Sequence, residues 1–182
     1  MASIIKANQL QDFGGNSILT SDGAGNLTTQ KINYPAFFTT RTSSQNISDE
    51  TNTIIQFDNV IYDTNSGYNT STFKYTIPVS GKYFICATVQ GTSPGNADGF
   101  ERFNLKLLKN SDVSIAEVYY DQRNNPGYFI TQTITDIKNL SANDTIYIHA
   151  FIDVTNGGSS PQIQGSASPK SITSFGAYRI GS

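Results

Sequence analysis

Tryptophan is absent from the 182 residues, and cysteine, methionine and histidine occur once each. A single cysteine, Cys86, forms no disulfide within the chain, so packing must hold the fold. It sits in the apolar run Tyr83-Phe84-Ile85-Cys86-Ala87, which reads as a buried, inert thiol. One Cys and one His, His149, cannot supply a zinc ligand set. Charged residues make up 14% of the chain, against about 25% in ordinary domains. Coiled coils need far more. With a net charge of −2 and a pI of about 5.2 the chain has no basic face, which argues against a nucleic-acid partner. No run of about 18 apolar residues exists, so no membrane-spanning helix is expected. Met1 to Lys6 lacks the apolar core of a secretory signal, so the five Asn-x-Ser/Thr triplets, at Asn26, Asn46, Asn69, Asn139 and Asn143, read as composition rather than glycan sites.

What is present is neutral polarity. Ser, Thr, Asn and Gln total 67 of the 182 residues, so these groups rather than charges must cover the surface. Twenty Ile, 20 Thr, 11 Phe and 10 Tyr favour strands. From residue 35 onward strand signals recur at 35–41, 53–60, 72–77, 82–91, 101–109, 113–121, 127–137, 144–153 and 171–180. Gly, Asn, Pro and Ser clusters separate them, which predicts an all-β sandwich. Residues 1–34 differ. They are polar with single apolar anchors, carry the breakers Gly14-Gly15 and Gly23-Ala24-Gly25, and suggest a small hairpin over 18–20 and 27–29. That segment is too poor in large apolar residues to bury a core alone. Two domains follow: an arm, 1–34, and a knob, 35–182.

Strand 144–153 has two apolar faces, with Ile146, Ile148, Ala150 and Ile152 on one and Tyr147, His149 and Phe151 on the other. A solvated sandwich strand should alternate apolar and polar. Phe84, Phe175 and Ala177 lie in similar strands. These six residues, Tyr147, His149, Phe151, Phe84, Phe175 and Ala177, are therefore the expected subunit interface. A cover from the chain's own loops is the other reading of the pattern.

No catalytic constellation emerges. His149 lies within a strand and no nucleophile elbow accompanies it. The carboxylate pairs Asp58 with Asp63 and Glu117 with Asp121 lack any mark of a glycosidase site. The chain reads as a non-enzyme without cofactor. Calcium is the one ion considered, at Asp121 near Asn124-Asn125 or at Asp153 near Asn156. Loops 91–100, 121–128 and 154–170 offer neutral hydrogen-bonding groups, with Asn96, Phe100, Arg123, Tyr128 and Gln162 as candidate ligand residues.

The order of blocks resembles the C1q/TNF-like trimeric jelly roll. Pro35-Ala36-Phe37-Phe38-Thr39-Thr40-Arg41 is similar to its first strand. The stretch from Gly67-Tyr68-Asn69 through Phe73 to Pro78-Val79-Ser80-Gly81-Lys82-Tyr83-Phe84 is similar to its most distinctive segment. Phe103 to Asn110, Leu140 to Ile148 and Ser174 to Tyr178 resemble later blocks. The resemblance implies a ten-stranded, homotrimeric jelly roll over 35–182. Separately, Ile5 to Ile18 and Ser21 to Leu27 resemble the start of virion structural proteins of tailed phages, particularly of marine bacteria. That implies virion localisation, and docking on a capsid or tail through Ile5, Leu10, Phe13, Ile18 and Leu27. It also implies a decoration or fibre-type role. The alternatives are a receptor-binding tip recognising host glycans and, ranking lower, a secreted TNF/C1q-like ligand.

Overall fold

A computed structural model describes residues 7, 9–25, 27–29, 34–93, 99–124, 126–155, 161–167 and 171–181. The chain separates into two compact units, residues 1–34 and 35–182.

In the first unit, β1 (Gln9–Gln11), β2 (Ser17–Ser21) and β3 (Leu27–Thr29) form an antiparallel sheet in that order. The expected hairpin is the β2–β3 pair. Strand β1 adds to it because Asp12 ties the preceding turn. Its carboxylate accepts the Asn16 N–H at 2.9 Å, and its carbonyl accepts the N–H of Gly15 at 3.0 Å. Leu10, Phe13 and Ile18 are exposed. Ile5 lies outside the described residues, as does the side chain of Leu27.

In the second unit the sandwich has two antiparallel sheets. The first contains β4 (Ala36–Thr40), β7 (Asn59–Asp63), β10 (Gly81–Thr92), β13 (Phe129–Leu140) and β16 (Ser174–Gly181), side by side as β13-β10-β16-β4-β7. The short β15 (Gln162–Ile163) extends it beside β10 and in turn pairs with β5 (Gln45–Asn46). The second runs β12 (Val113–Asp121), β11 (Phe100–Lys109), β14 (Thr145–Val154), β9 (Lys74–Thr76) and β8 (Tyr68–Asn69), with β6 (Thr53–Ile54) also on β14. Among the described residues this unit has thirteen strand segments rather than ten. The expected strand 53–60 divides because the chain changes sheets: β6 pairs with β14 in the second sheet and β7 with β4 in the first.

The inward residues obey the two-residue period of a pleated strand. Tyr83, Ile85, Ala87 and Val89 of β10 face Phe103, Leu105 and Leu107 of β11 and Ile146, Ile148, Ala150 and Ile152 of β14, all fully buried. An aromatic group closes one end, where Phe37 stacks on Tyr75 at 3.9 Å and meets Phe175 edge-on at 4.9 Å. The expected turn before β10 is present. Gly81 has φ 155°, and a Cβ there would stand 2.3 Å from the Gly181 carbonyl, so only glycine fits.

Candidate interaction surface

The outward face of the first sheet departs from a water-facing pattern. Register places Ile137, Phe84 and Tyr178 in one row across β13, β10 and β16. The next row holds Thr135, Cys86, Gly176, Phe38 and Tyr62. Phe84 and Tyr178 pack with ring centroids 5.1 Å apart, and Phe38 and Tyr62 stack at 6.1 Å. Between the two pairs runs a crevice of about 140 Å³ with no charged side chain in its lining. Tyr62, Ile137, Tyr178 and Ile180 are each between 43% and 56% exposed, and Ile61 beside them is also exposed. A contiguous apolar face of this kind marks a docking surface. Farther along the same face the character changes to hydroxyls, with Thr88 and Thr133 3.1 Å apart and Gln90 donating to Thr131 at 3.1 Å.

Of the six residues expected at an interface, Phe84 lies on this face. Phe175 does not: it points inward on β16 and is 0% exposed, so it has no surface to give to a partner. Ala177, 4% exposed, also alternates inward and reaches this face only in the wall of the crevice. Cys86, expected to be buried, is half-buried on the outward side and accepts the Thr135 hydroxyl at 3.8 Å. Of the outward aromatics of β14, Tyr147 is fully covered by its own chain, while His149 and Phe151 are half-buried. The Lys74 ammonium sits 4.0 Å from the Tyr147 ring centroid. The Tyr147 hydroxyl donates to the Asp112 carboxylate at 2.6 Å, and the residue is fully buried. The Arg102 guanidinium lies over Phe151 at 5.4 Å while its Nε bonds Asp153 at 2.5 Å. Cations covering rings give a strand two buried-looking faces without a second subunit.

His149, packed edge-on against Tyr147 at 5.4 Å, shares this cover. Burial holds its pKa below the ordinary 6.5. Asp112 opposes that shift, and Lys74 and Lys106 reinforce it. A depressed histidine pKa means the unfolded chain takes up the proton more readily. The stabilisation is therefore complete above the unfolded pKa of about 6.5 and is lost as pH falls toward the folded one. Melting temperature should fall as pH drops below 6.5, and His149→Gln should flatten that slope. An unchanged slope in the variant would contradict this role.

The expected ligand loops converge at one end of the sandwich, as far as they are described. The N–H groups of Ser93, Phe100 and Thr155 donate to the carbonyls of Tyr128, Gly127 and Gly99, at 3.1, 2.6 and 3.0 Å. This end lies opposite the one where Arg179 N–H bonds the carbonyl of Pro35, because β10 runs from Gly181 at its start to Phe129 at its finish. Tyr128 is 45% exposed there. Arg123 is also exposed and pairs with Asp121 at 2.7 Å. Gln162 lies in β15 and donates to Asn46 at 2.7 Å. Phe100 is no loop residue. It begins β11 and is fully buried, its ring 6.1 Å from that of Phe103. Asn96 lies outside the described residues.

The carboxylates considered for calcium or catalysis have structural partners. Asp121 and Asp153 face Arg123 and Arg102. Asp58 accepts the N–H of Thr42 at 2.8 Å and Asp63 that of Tyr68 at 2.7 Å. Glu117 accepts from the Asn104 amide. Among the described residues no group of three His, Cys, Asp or Glu side chains could hold a metal ion, and no helix is long and apolar enough to cross a membrane.

Two antiparallel sheets whose successive strands cross between them, closed by the pairing of the first and last long strands, define a jelly roll. Residues 36–168 match the C1q domain, and the chain belongs to that family. Solved structures agree at the level of fold. The globular domain of zebrafish complement 1qA protein is similar with a TM-score of 0.56 and 16% identity, over 80% of this chain and 97% of that one. Murine APRIL gives 0.56 at 9% identity, over 81% and 99%. Eiger TNF from S. frugiperda gives 0.53 at 12%, over 81% and 92%. No curated protein sequence matches the chain. C1q and TNF domains are non-enzymatic binding or ligand modules and are typically homotrimeric.

Proposed function

We propose that the chain is a non-enzymatic, homotrimeric knob displayed on a phage particle, capsid or tail, through residues 1–34, as a decoration or fibre-type virion protein. The observation that carries the trimer is the uncharged aromatic face around Phe84, Tyr178, Phe38 and Tyr62, which one chain leaves open. A threefold ring closes when this face meets a different surface of the next copy. The virion assignment draws on the resemblance of residues 5–27 to phage structural proteins. The exposed Leu10, Phe13 and Ile18 fit an arm that docks elsewhere.

The gathered loops around Tyr128 and Gly99, at the end away from Pro35, favour a receptor-binding tip as the second reading. The C1q domain by itself serves a secreted ligand equally well. Particle purification separates them. The chain should co-purify with intact virions, and a 35–182 truncation should keep the trimer mass but lose particle binding. Absence from virions, with binding of the free trimer to a cell-surface protein, would overturn the proposal in favour of the ligand.

A further inference from the structure

A second concavity, of about 580 Å³, opens at the end of the sandwich where Pro35 meets Arg179. It lies between the turn after β7, strand β8, the β9–β10 connection and the turn before β14. Its volume falls within the range of small-molecule sites, about 300–1,000 Å³. None of its lining residues carries a charge. That disfavours metal ions, phosphates and nucleotides, which need charge or a row of backbone donors.

The walls are braced from behind. Asn143 N–H donates to the Ile77 carbonyl at 2.8 Å and Thr76 N–H to the Gly67 carbonyl at 2.9 Å. Behind the Asn143 turn, the Asp144 carboxylate accepts Ser141 N–H at 2.8 Å and pairs with Lys109 at 2.8 Å. Gly67 brings bare backbone to the floor. A Cβ there would meet the Thr76 carbonyl at 2.7 Å and the Tyr75 ring at 2.8 Å. Ser66 and Asn143 sit at φ 53° and 72°, a conformation that side chains rarely adopt and that is retained where the surroundings enforce it.

With the backbone so fixed, the side chains of Ser66, Thr70, Thr76 and Asn143 make no hydrogen bond among the described residues, and all line the cleft beside the apolar Ile77 and Pro78. We infer that this cleft binds a neutral saccharide. Sugar hydroxyls both donate and accept, matching three hydroxyls and one carboxamide, while the C–H face of a pyranose covers the half-buried Pro78. An added peptide strand fits less well, since the edge strand β8 offers only two residues, Tyr68 and Asn69, for pairing. The inference does not depend on the trimer or on the virion reading.

The test uses the full-length protein and NMR titration with neutral disaccharides (lactose, cellobiose, maltose, chitobiose), with sialyllactose as the charged comparison. At least one neutral sugar should bind with a Kd of about 1 mM or tighter. The Ser66→Gly/Asn143→Gly variant removes both side chains while glycine accepts their φ values. It should keep its melting temperature and bind about tenfold more weakly or not at all. Failure of every neutral sugar, binding of the charged one alone, or unchanged affinity in a folded variant would each overturn the inference.

Discussion

Phe84→Asp should reduce the proposed trimer of about 59 kDa, three times the 19.8 kDa chain, to a monomer. Phe84 centres one row of the aromatic face, in register with Ile137 and Tyr178. A carboxylate there would be desolvated at the contact, beside a crevice whose lining carries no charge. Truncating a central aromatic anchor costs about 2–4 kcal/mol per interface, and a threefold ring repeats that loss at each contact. The single chain should tolerate the change. Phe84 is only half-buried there, and the residues inward of it, Tyr83 and Ile85, are untouched. Sedimentation should show the mass change with an unaltered β-type circular dichroism spectrum. A variant that stays trimeric would remove this face from the interface.

Phe175→Ala should unfold rather than dissociate. Its side chain is fully buried against Phe37 and Phe57, at centroid distances of 4.9 and 5.5 Å. Emptying such a site costs about 3–5 kcal/mol, a large part of the 5–15 kcal/mol by which domains are stable. Urea melts at one fixed protein concentration should show the midpoint falling sharply, since concentration alone shifts a trimer's apparent stability. A stable, monomeric Phe175→Ala would instead return this residue to an interface. The pair of substitutions separates the two faces of the first sheet: Phe84 from outside, Phe175 from inside.

That separation is where sequence reading reached its limit. The long strands were legible because residues 82–91, 101–109 and 144–153 carry an unbroken apolar period of two, and Pro78 to Gly81 marks the turn before them. Strands apolar on both sides are ambiguous by the same rule. In Ser174-Phe175-Gly176-Ala177-Tyr178, alternation groups Phe175 with Ala177 but leaves open whether they or Tyr178 face the core. The pairing of Ala177 with Phe37 and of Phe84 with Tyr178 decides it. Tyr147 misled for another reason: its cover, Lys74, is distant in sequence and counts as polar in any hydropathy pattern. Phe38, Tyr62 and Ile137 were missed because the face joins strands that are neighbours only in space, β7 to β4 to β16 to β10 to β13. Strand β1 was hidden by its polarity, with Leu10 between two glutamines. The saccharide cleft left no sequence signal, since its groups come from four separate turns and strands.

Threefold association through the aromatic face is tested most directly by the native mass of the full-length protein, measured by light scattering across a range of concentrations. A constant mass near 59 kDa is predicted. A constant 19.8 kDa would contradict it and would leave the Phe84–Tyr178 face without a partner copy.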